Sequence, residues 1–132
     1  MILVDSSVWI DYFNGMSTWQ TNLLDTYLSK IPVIIGDLIL TEVLQGFRFD
    51  KDYETAKNLL SALPFREIGG YNVAVQSAQN YRVLRKAGVT VRKTIDLIIA
   101  TFCIMEGLIL LHDDRDFDPI AAHFPLNTPT PP

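Results

Sequence analysis

A three-residue apolar run that ends in a carboxylate sets most of the constraints on this chain. Ile2, Leu3 and Val4 show no polar alternation, the pattern of a strand buried on both faces. Asp5 follows at once, then Ser6 and Ser7, good N-cap residues for a helix from about Val8 to Phe13. A carboxylate is thereby held where a strand ends and a helix begins. In open α/β sheets ligands bind at the carboxyl ends of the strands, so Asp5 marks the expected site.

The same alternation continues along the chain. Asn14-Gly15 is a turn signal, and Ser17 or Thr18 caps a helix to about Ser29 with Trp19, Leu23, Leu24, Tyr27 and Leu28 as its apolar stripe. Lys30–Ile35 reads as a second strand with Pro32 near its start. Gly36-Asp37 opens a helix through Gly46, and Asp50–Leu63 is another whose first turn is acidic. Phe65–Ile68 reads as a short strand. Gly69-Gly70 then breaks the chain before a long helix, Tyr71–Ala87, closed by Gly88. Thr94 caps the apolar helix Ile95–Met105, Leu108–Leu111 is a fully buried strand, and Phe117–His123 a last short helix. Strands alternating with helices predict an α/β fold: a single domain, residues 1–125, with a mostly parallel central sheet and helices on both faces. Residues 126–132 form a proline-rich tail, expected to fray.

Composition narrows the class. Of the 132 residues, 48% are hydrophobic and 20% charged, as in a globular domain with room for one core. A net charge of -4 argues against a surface that coats nucleic acid, while leaving room for a local basic patch. The lone Cys103 excludes an internal disulfide, and its apolar helix makes it a core thiol rather than a nucleophile. Met1 leads directly into a strand without a basic leader, and the apolar run Leu97–Met105 is too short to span a bilayer. These features predict a soluble cytoplasmic protein that does not use a membrane.

Four acidic positions carry the chemistry. Glu42 lies on the core-facing side of its helix, Asp96 in the first turn of the most apolar helix, and Asp114 and Asp116 just past the last strand. Each has an ordinary structural reading: a stripe-edge glutamate, a carboxylate at a positive helix end, an acidic loop that caps the next helix. Together they point elsewhere, because Asp5 and Asp114 follow parallel strands at one edge of the sheet, and Asp96 begins the helix that leads into the second of those strands. Converging carboxylates repel and raise one another's pKa unless a cation joins them. Oxygen ligands without His or Cys partners favour Mg²⁺ or Mn²⁺, which suits phosphoryl chemistry.

The series Val4-Asp5-Ser6-Ser7-Val8, Glu42 in a helix, Thr94-Ile-Asp96-Leu-Ile-Ile-Ala100 and Asp114-Arg-Asp116-Phe117 resembles a PIN domain. The likeness runs from Met1 to about His123 and is closest to the VapC-type toxins of bacterial toxin–antitoxin pairs. It implies a metal-dependent endoribonuclease in which Asp5, Glu42, Asp96 and either Asp114 or Asp116 hold the metal and activate water. It also implies a hydroxyl beside the metal, from Ser6 or Ser7, a homodimer, and a VapB-type antitoxin partner. The family often has Thr or Ser where this chain has His112.

Two clusters remain. Arg82, Arg85, Lys86, Arg92 and Lys93 place five of the eleven basic residues within twelve positions. Arg85 and Lys86 suit a helix C-terminus, whereas Arg92 and Lys93 lie close enough to Asp96 to hold RNA phosphates across the cleft. Trp9, Tyr12 and Phe13 crowd one short helix; they are either core or the floor of a groove for a partner helix, the use the resemblance implies. His123 reads as structural. Alternatives are an RNA-processing PIN nuclease without an antitoxin, or an inert PIN-like binding module. A receiver-type domain fits poorly. It needs a lysine after the last strand, where His112-Asp113 stands, and an acceptor Asp after the middle strand, where Gly69-Gly70 stands.

Overall fold

Each of the four strands feeds two helical segments, so every strand-to-strand connection is a crossover and every strand pair is parallel. In the computed structural model, which describes residues 1–132, β1 (Ile2–Val4) leads into α1 (Ser6–Phe13) and α2 (Trp19–Leu28). β2 (Val33–Gly36) leads into α3 (Asp37–Leu44) and α4 (Asp50–Ser61), and β3 (Phe65–Arg66) into α5 (Tyr71–Lys86) and α6 (Thr94–Glu106). β4 (Ile109–Leu111) is followed by a 3₁₀ turn, Arg115–Phe117, and by α7 (Asp118–His123).

The sheet order is β3-β2-β1-β4. The register sets Ile2 beside Val33 and Ile109, and Val4 beside Leu111. The chain moves outward through β2 and β3, then crosses back to lay β4 on the far side of β1. That reversal puts the topological switch point between β1 and β4, the crevice where open α/β sheets bind ligands. Right-handed crossovers on opposite sides of a switch point place helices on both faces of the sheet. The packing agrees: α1 contacts α2 and α3, α3 contacts α4, and α5 and α6 pack chiefly on each other. Ile2, Leu3, Val4, Leu110 and Leu111 are wholly buried, which explains the unbroken apolar runs.

Glycine sets one close approach. A Cβ at Gly36 would overlap the Ile68 side chain, so the β3–α5 segment lies directly over the end of β2. Asp37 fastens it there, its Oδ1 accepting the Ile68 N–H at 2.8 Å and the Leu38 N–H at 2.9 Å.

Several boundaries differ from expectation for identifiable reasons. Asp5, not Ser6 or Ser7, is the N-cap of α1: its backbone is extended and its carboxylate accepts the Ser7 N–H. The helix therefore begins at Ser6. Lys93, not Thr94, precedes α6, and it makes no side-chain cap. β3 ends at Arg66 because the Ile68 N–H turns away to Asp37. The tail is tied at its start rather than frayed. Leu126 is buried, and the Leu110 N–H donates to the Asn127 carbonyl at 2.9 Å, extending the sheet past β4.

Trp9 is wholly buried, so it is core and offers no surface to a partner. Tyr12 and Phe13 stack around it at 5.9 Å and stay half-exposed, Phe13 also meeting Phe47 at 5.8 Å. Cys103 is wholly buried, which pushes its thiol up to about 12 and leaves it a neutral packing group. His123 is exposed, its Nδ1 at 2.9 Å from the Pro119 carbonyl. No helix is long and apolar enough to cross a membrane.

Candidate active site

The ends of β1 and β4 are stitched together by one hydroxyl. Ser7 Oγ donates to Asp5 Oδ2 at 2.6 Å and accepts the Asp113 N–H at 3.1 Å, while the Ser7 N–H reaches the same carboxylate oxygen at 3.1 Å. Ser6 points the other way, donating to Glu42 Oε1 on α3 at 3.3 Å. The two serines thus divide their work because α1 begins at Ser6, which sends consecutive side chains to different neighbours. Asp5 is buried, which raises its carboxyl above the usual range; the two Ser7 hydrogen bonds oppose this and the Asp114 charge adds to it. Glu42 is raised by burial and by the Asp5 charge, with the Ser6 hydrogen bond opposing.

Asp96 enters from the first turn of α6. It is buried, and its carboxyl is pushed up to about 6, first by desolvation, with the nearby Lys93 ammonium pulling it down and Asp5, Asp114 and Glu42 pushing it up. Its Oδ2 is buried without a hydrogen-bond partner, an uncommon condition for a carboxylate oxygen. Asp114 caps the 3₁₀ turn, its Oδ1 accepting the Asp116 N–H at 2.9 Å. Oxygens of Asp96, Asp114 and Asp116 lie within 4.8 Å of one another. The expected constellation therefore has two parts. Three aspartates converge, while Asp5 and Glu42 are held beside them by serine hydroxyls and act on Asp96 through their charge.

Lys93 stands inside this group. Its Nζ lies 3.4 Å from Asp114 Oδ2, 3.7 Å from Asp116 Oδ2 and 3.8 Å from Asp96 Oδ2, and these charges, Asp96 first, raise its pKa. Arg92 pairs with Asp116 at 3.4 Å. Both cations therefore meet carboxylates in the free protein. Arg85 instead lies over the Tyr81 ring, 5.7 Å from its centroid, away from the acids.

Two features were not foreseen. His112 Nδ1 accepts the Asp114 N–H at 3.3 Å and its ring packs on Phe117 at 4.8 Å, so an imidazole shapes the loop that carries Asp114. Gln20, on α2, is buried on the far side of the same loop. The residue two places before an acidic turn was a legible signal for the first; nothing local marked the second.

An all-oxygen set of three aspartates, one of whose buried oxygens lacks a hydrogen bond, has the ligand chemistry of a hard divalent cation site. A family model described as PIN domain matches residues 2–122. The chain belongs to the PIN domain family. Within that family it is 33% identical over 123 residues, 92% of each chain, to Ribonuclease VapC11 of Mycobacterium tuberculosis and to VapC ribonuclease Mb1587 of Mycobacterium bovis. Among solved structures, this PIN domain is similar in fold to VapBC2 of Rickettsia felis bound to a DNA fragment from its promoter, with TM-score 0.76, 17% identity and 98% of each chain covered. It is also similar to Mycobacterium tuberculosis VapC20, described as a sarcin-ricin loop cleaving toxin, with TM-score 0.67, 19% identity and 94% and 96% of the chains covered.

Proposed function

We propose that this PIN domain is a metal-dependent endoribonuclease and the toxin member of a toxin–antitoxin pair, acting in the cytoplasm. The observation that carries the reading is the Asp96–Asp114–Asp116 convergence at the switch point, with Asp96 Oδ2 buried and without a hydrogen bond. These three residues, with Asp5 beside them, would hold Mg²⁺ or Mn²⁺, which when bound supplies charge stabilisation at the phosphate and a more acidic water. Asp5 is fixed by Ser7 and keeps the β1 side of the cleft negative. Glu42 has one oxygen engaged by Ser6, leaving the other to accept a proton from water, and burial and the Asp5 charge raise its pKa, which makes it a stronger base. Arg92 and Lys93, at the rim, would trade carboxylates for RNA phosphates as substrate arrives. Purified protein should cut single-stranded RNA with Mg²⁺ or Mn²⁺ and stop in excess chelator. Cleavage that survives the chelator would end this reading.

The partners are proposed from surface. Tyr12 and Phe13 line a shallow face with Phe47, and Phe49, 69% exposed, extends the same face. This apolar strip suits a helix of a VapB-type antitoxin. On the other side, the exposed Tyr81 stands with Ala74, Ala78, Leu97 and Ile98 in an apolar groove between α5 and α6, which suits a second copy of the chain. Light scattering should give a dimer alone and a larger complex with antitoxin, and Phe13→Ala should weaken only the latter. A monomer, or Phe13→Ala protein that binds antitoxin normally, would remove the corresponding surface.

A further inference from the structure

A second cleft adjoins the carboxylates and is not explained by them. It has a volume of about 230 Å³ and shares Asp114 with the metal-holding group. Its walls come from three distant segments: Trp19 and Gln20 at the start of α2, the loop after β4, and Pro129 of the docked tail. Trp19 and Pro129 provide flat apolar surface. Gln20 is only 7% exposed and lines the cleft, while Thr18 and Thr21 beside it bond each other in the helix cap. The remaining wall carries His112, Thr128 and, besides Asp114, the two carboxylates Asp113 and Asp118 against a single arginine, Arg115.

This lining selects a chemistry. Ionised carboxylates are acceptors only and repel phosphate, so the cleft suits the base of a nucleotide rather than its backbone. An indole face beside a polar wall is the usual setting for an unstacked RNA base. Two carboxylates call for a base edge rich in N–H donors, and an amide that both donates and accepts can read the neighbouring carbonyl. Guanine has adjacent ring N–H and amino donors next to a carbonyl, whereas uracil has one donor between two acceptors.

We propose that this cleft receives one unpaired guanine base of the RNA, beside the aspartate group that includes Asp114; the proposal rests on the nuclease reading for its substrate. Trp9 is wholly buried and Trp19 is half-exposed, so fluorescence quenching by a nucleotide reports Trp19. In chelator, guanosine 5′-monophosphate should bind the full chain about tenfold or more tighter than uridine 5′-monophosphate, the discrimination one bidentate pair gives. Gln20→Leu and Asp118→Asn, on separate helices, should each erase most of that difference. Sequenced ends of RNA cut by the parent should show guanine next to the cut, and the preference should flatten in both variants. Equal binding of the two nucleotides, or a preference that neither variant alters, overturns the proposal. A parent that cuts in a chelator-sensitive way without guanine dependence loses this cleft alone. Guanine binding without any cleavage keeps the cleft and sinks the nuclease.

Discussion

Asp96→Asn is expected to melt higher than the parent in chelator at pH 7, and to lose RNA cleavage. The Asp96 carboxyl is raised from 3.8 to about 6, chiefly by burial. A carboxyl raised in the folded state gives stability that is present below its unfolded pKa and lost as pH rises through the folded one. At pH 7 the ionised group therefore opposes folding, by at most about 3 kcal/mol for a shift of about two units. The pull of Lys93 is already contained in that shift, and solvent screening of the partly solvated group takes back about 1 kcal/mol. The net of about 2 kcal/mol corresponds to roughly 5–10 °C, and it should vanish below about pH 4. Metal reverses the order. A hundredfold excess over its dissociation constant stabilises the parent by about 2.7 kcal/mol, and the neutral amide should forfeit most of that gain. Cleavage should fall by about a hundredfold or more, the loss of several kcal/mol of charge stabilisation. If Asp96 served only the α6 N-terminus, the variant would melt lower by about 0.3–1 kcal/mol and keep its full response to metal. Melting curves with chelator and with Mn²⁺ distinguish the two.

What the sequence made legible was periodic or terminal. Unbroken apolar runs located β1, β2 and β4, and carboxylates just past those runs located Asp5 and Asp114, because a strand end in a parallel sheet has one position relative to the crevice. Glu42 and Asp96 followed from helix phase. Choices that depend on a single residue of register did not follow. Ser6 and Ser7 exchange roles if α1 starts one residue later, and a cap residue outranked them because Asp5 reaches the free amide of Ser7 itself. Trp9 was ambiguous for a similar reason: three aromatics on one short helix do not announce which faces the sheet. Contacts assembled from distant segments left no local trace. The tail's single bridge to β4, the cleft between α2 and the β4 loop, and the seat of Lys93 among three aspartates are made only by the completed fold.

Removing the charge of Lys93, as in Lys93→Met, is expected to tighten Mn²⁺ binding about tenfold and to weaken RNA binding. The Lys93 ammonium sits within 3.8 Å of all three convergent aspartates, the place a divalent ion would take. A single and a double positive charge about 4 Å apart repel by roughly 2 kcal/mol in water-like surroundings. Half of the side chain is exposed at 52%, on the segment between α5 and α6, so the four-carbon stem can swing out and relieve part of that repulsion. The remainder, about 1.4 kcal/mol, is the tenfold gain. Without metal the sign reverses. Lys93 is the main influence holding Asp96 down, so in chelator its loss moves that carboxyl further up and lowers the melting temperature at pH 7. The deficit should narrow toward pH 5, where Asp96 is protonated in either protein. On RNA, a lost phosphate contact should flatten the dependence of binding on salt by about one log unit per log unit. Calorimetry with Mn²⁺ decides the first point. Unchanged or weaker metal binding would mean that Lys93 holds the aspartates in place instead of standing in for the ion.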